Sequence, residues 1–154
     1  MVDATAAGAT VTPGERAREL FASGFFCAES VLKAVAEAKG IASEYIPGVA
    51  TGFCSGVSRT QDRCGALSGA VMAVGLIYGR REPDETVDDC YMRTIKLVRR
   101  FKERFGSLDC TTLCGHDLST EEGRAAFKER DAKARVCLGL AAAATEMALE
   151  LLDA

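Results

Sequence analysis

Cysteine is the residue type with which this chain could do chemistry. The 154 residues include seven cysteines, an odd number that fits no closed set of disulfides: Cys27, Cys54, Cys64, Cys90, Cys110, Cys114 and Cys137. In a reducing compartment, such an enrichment indicates a metal or cluster site, a pair of redox-active thiols, or small apolar side chains that fill the core. Composition alone does not choose among these three.

Two cysteines are predicted at the starts of buried helices. Cys64 opens the uncharged apolar run 64–79, which predicts a helix rich in glycine and alanine that its neighbours can approach closely. Cys27 has the corresponding place in an earlier helix and faces the same way, toward the core. At a helix start, free backbone N–H groups and the helix dipole favour a thiolate, so we expect reactive thiols at both positions. Arg59 and Arg63, just before Cys64, could lower its pKa or bind an anion, or could simply be solvated.

Two further cysteines are expected to face the interior. Cys110 lies in a short turn or helical piece, and Cys137 lies on the apolar face of the last long helix, near Leu140. Long gaps separate these two from each other and from Cys27 and Cys64. A shared site must therefore be assembled by the fold from separate helices, unlike the local cysteine pairs of zinc knuckles and ferredoxins. Three or four inward-facing thiolates in a helical pocket suit iron or another soft metal.

The order of these residues carries a resemblance to a known family. The residues that show this resemblance are the segments 27–32 and 64–69, the pair Phe105 and Gly106 ahead of Cys110, and Cys137. Over about residues 15–152 the chain resembles the C_GCAxxG_C_C family, small redox-active proteins of bacteria and archaea. The resemblance implies an iron–sulfur cluster held by the four family cysteines, which correspond to Cys27, Cys64, Cys110 and Cys137 here. Of these, Cys64 and Cys27 are the expected catalytic thiols.

The resemblance also bears on partners and on other cofactors. The family's gene neighbourhoods often include transporters, so a link to a transporter is expected besides a redox partner protein or a small-molecule substrate. The family is similar to a domain of split-Soret cytochrome c, an iron–sulfur and haem protein. This sequence has no CxxCH motif, and we therefore expect no c-type haem.

The remaining three cysteines do not correspond to cysteines of the family. Cys54 precedes Cys64 in a glycine-containing loop and could join the cluster or a substrate loop, although the family is usually glycine-rich there. Cys114 follows Cys110 by one helical turn and could form a second pair with it, and like Cys54 it is a further candidate metal ligand. Cys90 is expected to be structural or exposed. The single histidine, His116, is placed outside the site, since a lone loop histidine is more often a surface or capping group than a ligand.

The elements that position these residues are all predicted to be helical. No stretch alternates apolar and polar residues as a half-buried strand would. We expect an all-α, single-domain bundle over residues 13–154, after a disordered tail at residues 1–12, with the glycine- and alanine-rich helix buried at its centre. About six helices are predicted, at residues 14–22, 25–39, 45–53, 64–79, 86–105 and from 119 to the C-terminus. The helix over 86–105 should bury a stripe that includes Tyr91, Ile95 and Phe101.

Charge and hydropathy argue against two classes of protein, those that bind nucleic acid and those that span a membrane. The net charge of −3 and the pI near 5.3 offer no basic surface, so nucleic-acid binding is not expected. The N-terminus has no signal-peptide pattern, and the apolar run is too short and too rich in glycine to span a membrane, so we expect a soluble cytoplasmic protein. Self-association as a homodimer is expected, with the face of Gly65, Gly69 and Ala73 as one candidate interface.

Three functions are therefore compatible with the sequence. The first is a cluster-binding redox protein that works in electron transfer or reductive chemistry. The second uses the same cysteines without metal, with Cys64 as the attacking thiolate of a dithiol/disulfide cycle. The third is a non-catalytic helical interaction module in which the cysteines only fill the core.

Overall fold

The computed structural model describes residues 9–154, and over that part of the chain it is helical with no strand. The expected tail lies largely outside the described residues, and residues 9–12 are exposed and without regular structure. Eight helices follow rather than about six: α1 Pro13–Ser23, α2 Cys27–Ala38, α3 Cys54–Arg59, α4 Gly65–Tyr78, α5 Asp88–Phe105, α6 Cys110–Cys114, α7 Glu121–Glu129 and α8 Leu138–Leu152. A 3-10 segment, Gly48–Phe53, precedes α3, and a π-helical segment, Lys133–Cys137, leads into α8. The predicted all-α class is confirmed.

Helix α4 is the centre of the bundle, as predicted. It packs against both α2 and α8, which also contact each other, and its side chains from Ala66 to Val74 include five with no solvent exposure. A Cβ atom added at Gly69 would lie only 2.6 Å from the Ala28 carbonyl oxygen of α2. The absence of a side chain there is what lets the α2 and α4 backbones approach. The face of Gly65, Gly69 and Ala73 is thus filled by the chain itself and is not open to a second copy.

Helix α5 turns a different face inward than its sequence suggests. Leu97 and Phe101 are fully buried, whereas Tyr91 and Ile95, expected in the core stripe, are 62 % and 49 % exposed. The prediction that Tyr91 and Ile95 belong to the core is wrong. The helix packs against α4 and α8 through Leu97 and Phe101, with Val98 and Phe105 partly buried against the same core. Ile95 lies on the opposite side of the helix from Leu97, two residues away at about 100° per residue, and is therefore left in solvent.

The predicted last helix is interrupted. Helix α7 ends at Glu129, Asp131 takes the left-handed value φ 52°, and the π-helical segment follows before α8 begins. Neither glycine nor proline marks this break, so the sequence offered no stop signal. The break separates the directions of α7 and α8 and allows both to border one cavity. Within residues 9–154, no helix has the length and apolar character that crossing a bilayer requires.

Candidate functional site

A cavity of about 220 Å³ lies where α2, α4, α6 and the π-helical segment meet. Five of the seven cysteines line it, and together they come from four separate elements: Cys27, Cys64, Cys110, Cys114 and Cys137. All seven cysteines are free thiols. The four cysteines predicted as the site are thus brought to one cavity by the fold, and Cys114 joins them.

Cys27 and Cys64 are placed by the close approach of α2 to the start of α4. Cys27 is the first residue of α2, and the amide of Ser55 donates a hydrogen bond to its Sγ at 3.4 Å. A Cβ atom at Gly65 would overlap the Cys27 sulfur, so glycine is required beside it. Cys64 is the N-cap residue of α4 rather than part of its first turn, and its amide donates to the Leu108 carbonyl at 2.8 Å.

The segment predicted as a loose loop is a left-handed helical turn. Residues 55–58 of α3 have φ between 55° and 66°, a region that only glycine adopts without strain. Val57, with φ 56°, is the most unfavourable case because its side chain is β-branched. Gly56 is needed for space as well, since a Cβ atom there would lie 2.6 Å from Cys110 Cβ. A strained backbone segment therefore borders the cysteine cavity, and such strain is common at functional sites.

Cys110 and Cys114 lie one helical turn apart, at the two ends of the short helix α6. The amide of Cys110 donates to the Asp62 carbonyl at 2.9 Å, which ties α6 to the chain ahead of α4. The hydrogen bond from Cys110 lowers the pKa of Cys114 to about 6, with further help from backbone N–H groups. The same bond, together with burial, raises the pKa of Cys110. When protonated, Cys114 instead donates to the His116 carbonyl at 3.4 Å.

Burial raises the pKa of two other thiols that line the cavity, Cys64 and Cys137. It raises the pKa of Cys64, and the N–H groups of Leu67 and Ala66 at the start of α4 only partly oppose it. Burial likewise raises the pKa of Cys137 to about 12. The expected thiolate at Cys64 is therefore not favoured in the metal-free protein, because desolvation outweighs the helix start. The pKa of Cys114, which the sequence offered only as a possible partner of Cys110, is instead lowered.

The other two cysteines lie outside the cavity lining. Cys54 is buried behind Cys27, with its sulfur 3.7 Å from a Glu29 carboxylate oxygen, and a hydrogen bond with Cys27 is the main cause that raises the Cys54 pKa. Cys90 is half-buried on α5. The ring of His116 does not line the cavity and contacts Phe127 edge-on.

The remaining lining is apolar and cationic. Phe21, Phe26, Phe127 and Leu140 are among the apolar residues, and the charged ones are Arg59, Arg124 and Lys133. Only Arg59 was noted from the sequence. Arg124, Phe127 and Lys133 come from the region around the break between α7 and α8, and no local pattern relates them to distant cysteines.

The thiols at the cavity are of the donor type that holds iron–sulfur clusters. Among residues 9–154, no group of three or more histidine, cysteine, aspartate or glutamate side chains converges closely enough to hold one metal ion. An iron–sulfur cluster distributes its thiolate ligands over several iron atoms, so its ligands surround a space instead of a point. Four thiols from separate elements around one cavity meet that requirement in number and type. Metal binding would deprotonate the thiols that burial keeps neutral.

Comparison with known proteins assigns a family. The model of the C_GCAxxG_C_C family, described as putative redox-active protein, matches residues 25–151. Comparison with curated proteins and with solved structures finds no match.

Proposed function

Because the chain belongs to the C_GCAxxG_C_C family of redox-active proteins, we propose that it binds an iron–sulfur cluster through Cys27, Cys64, Cys110 and Cys137. The observation that supports this proposal is the single cavity that these four cysteines line, although they are far apart in sequence. A bound cluster would supply one-electron transfer, for electron transport or for reduction of a substrate.

The protein's own residues would hold and insulate that cluster. The apolar walls exclude water, which protects iron–thiolate bonds and influences the redox potential. Arg59, Arg124 and Lys133 would offset part of the negative charge of four thiolates. Gly65 and Gly56 leave space for the Cys27 and Cys110 side chains, respectively.

Anaerobic purification tests the proposal. We expect a brown protein with iron and acid-labile sulfide in near-stoichiometric amounts. Replacing any one of the four proposed ligands by serine should remove most of the bound iron, whereas Cys90→Ser is the matched control and should retain it. Iron retained in full by Cys64→Ser would contradict the proposed ligand set.

A second candidate function is dithiol/disulfide exchange without metal, and the paired thiols of α6 are the observation that favours it. The Cys114 thiolate would attack a substrate disulfide and release one substrate thiolate. Cys110 would then lose its proton and attack the Cys114 sulfur, which releases the second substrate thiol and leaves a Cys110–Cys114 disulfide. The substrate gains two electrons and the protein loses two. The attacking role moves from Cys64 to Cys114, since the pKa of Cys64 is raised by burial while that of Cys114 is lowered.

The two candidates predict different proteins. The exchange function predicts a colourless protein that reversibly loses two thiols on oxidation, and it predicts that Cys114→Ser abolishes this loss while Cys64→Ser does not. A core-filling role for the cysteines predicts that Cys64→Ser changes neither colour, fold nor thiol reactivity. Such a role leaves the gathering of five thiols around a cavity unexplained.

We also propose that the protein works in the cytoplasm, because free thiols in this number persist in a reducing compartment. Its partner would be a redox protein or a small-molecule substrate, and a link to a transporter remains a proposal drawn from the family.

A further inference from the structure

Three cations line the cysteine cavity without a carboxylate beside them. Arg59, Arg124 and Lys133 belong to the lining, and none of the lining residues is aspartate or glutamate. In the described part of the chain, none of the three cations forms an ion pair. Their charge is therefore not neutralised by the protein.

Other contacts hold the two half-buried cations in place without cancelling their charge. Arg124 donates to the Leu118 carbonyl at 2.9 Å, and the Lys133 ammonium lies 5.1 Å from the centre of the Phe21 ring. Cys64 and Cys114, by contrast, are each only 6 % exposed. The cations thus lie nearer to solvent than these two thiols do, so a molecule that enters the cavity meets positive charge before it reaches sulfur.

We infer that this cavity binds a small organic anion, with its carboxylate, sulfonate or phosphate group held by Arg124 and Lys133 and its apolar part against Phe127 and Leu140. The inference rests on the thiol-exchange function proposed above for the metal-free protein, for which it names the substrate class. A cleft that carries one sign of charge raises the rate of entry of oppositely charged ligands by about 10-fold or more.

Two thiol reagents of opposite charge test this inference. Sulfonatoethyl methanethiosulfonate is an anion and trimethylammonioethyl methanethiosulfonate a cation, and each forms a mixed disulfide with a thiolate and releases methanesulfinate. Their rates of reaction with Cys114 of the reduced, metal-free full chain would be followed by mass spectrometry of the peptide. The ratio of anion rate to cation rate is then divided by the same ratio for free mercaptoethanol, which removes the intrinsic difference between the reagents.

We expect this normalised ratio to exceed unity by about tenfold in the wild-type protein. The double substitution Arg124→Gln and Lys133→Gln should return it toward unity, while Lys128→Gln, an exposed position of α7 outside the cavity, should not change it. If the double variant does not fold, the wild-type ratio should still fall as salt rises, because salt screens the cations. A wild-type ratio of one, or a ratio that both salt and the double variant leave unchanged, would overturn the inference. Iron content does not enter this measurement, so failure of the cluster proposal would be seen separately.

A different observation, on α5, points to a partner of the whole molecule. Tyr91, Met92 and Ile95 are 62 %, 45 % and 49 % exposed, although all three are apolar or aromatic. At about 100° of rotation per residue, Met92 and Ile95 share one helix face with Asp88 and Arg99, opposite to the buried Leu97. This face, which we call the α5 face, carries an acid at one end, apolar residues in the middle and a base at the other end.

Such a face is complementary to itself. When two copies of α5 run antiparallel about a twofold axis, Asp88 of one copy meets Arg99 of the second, and Met92 meets Ile95, with each contact formed twice. The N-terminus of each helix also lies beside the C-terminus of the other, which the helix dipoles favour. We propose that the protein forms a homodimer through the α5 face.

Charge reversal distinguishes this interface from any other. Sedimentation velocity should show a wild-type dimer, about tenfold weaker association for Asp88→Arg or for Arg99→Asp, and recovery when both substitutions are combined. Ile95→Glu should yield a monomer, whereas Val49→Glu, at a position of similar exposure (55 %) outside α5, should remain dimeric. Circular dichroism would confirm that each variant folds. A wild-type monomer at sub-millimolar concentration, or a double reversal that is no better than the single ones, would overturn the proposal.

Discussion

Replacing Gly69 by alanine tests the contact on which the site depends. Gly69 lies on α4 where that helix touches α2, and an added Cβ atom would lie 2.6 Å from the Ala28 carbonyl oxygen and 3.0 Å from Ala28 Cα. Both are backbone atoms, which cannot rotate away as a flexible side chain would. The substitution must therefore push α2 away from α4. Gly75, in the same helix, has no atom within 4 Å of such a Cβ atom, so Gly75→Ala is a matched control.

The two substitutions should change stability in opposite directions. Each removes a glycine from a helix, which by itself favours folding by about 1 kcal/mol. Nothing opposes this gain in Gly75→Ala, so that variant should be up to ~1 kcal/mol more stable than wild type. In Gly69→Ala, insertion of a methyl group into a packed contact costs about 1–3 kcal/mol, so the net effect should be a loss. Because the gain from removing glycine is common to both, the free energies of unfolding of the two variants should differ by the insertion cost, about 1–3 kcal/mol.

Urea unfolding followed by circular dichroism measures this difference as a shift of the midpoint at constant slope. Because α2 carries Cys27 and the start of α4 carries Cys64, separation of these helices should also lower the bound iron of anaerobically purified Gly69→Ala, although no cysteine has changed. Equal stability of Gly69→Ala and Gly75→Ala would refute the reasoning, because it would mean that α2 and α4 are not in backbone contact at this position.

Three further measurements address the thiol pair, the strained backbone and α5. Alkylation of Cys114 in the metal-free protein should rise with a midpoint near pH 6, and Cys110→Ala should move that midpoint upward because the thiolate loses its main donor; a midpoint that Cys110→Ala leaves unchanged would contradict the pairing. Gln61→Gly should stabilise the fold by about 1 kcal/mol in urea unfolding, since Gln61 is exposed with φ 62°; a loss of stability would count against this left-handed backbone. Leu97→Ala should lower the free energy of unfolding by about 2–5 kcal/mol, and Ile95→Ala, measured on the monomer, should lower it far less. The reverse order would mean that Ile95, as expected from the sequence, faces the core.

Much of the fold could be predicted because local chemistry decides it. Neighbouring residues show that no segment alternates as a strand would, that an apolar run follows Cys64, and that Gly106 ends α5. Most helices lie close to the positions predicted from these local patterns. The exceptions lie where local signals compete or are missing. The predicted stripe of α5 ran through Tyr91, Ile95 and Phe101, but packing against α4 and α8 buries Leu97 with Phe101 and leaves Tyr91 and Ile95 exposed.

The candidate site was predictable to a similar extent. Cys27 and Cys64 could be identified because glycines and helix starts accompany them in sequence, and Cys110 and Cys137 because they follow in the order of a known family. That Arg124, Phe127 and Lys133 line the cavity could not be predicted from the sequence. Their position depends on a helix break at Asp131 that no glycine or proline marks.

The sequence by itself determined which residue types are available and which helices carry them, because helix formation depends on residues a few positions apart. Tertiary structure alone decided which thiols hold a proton. Ionisation depends on how far a sulfur is removed from water and on what lies against it, and both are properties of packing between distant segments. This is why Cys64, at a helix start, has a raised pKa, while Cys114, beside the Cys110 thiol, has a lowered one.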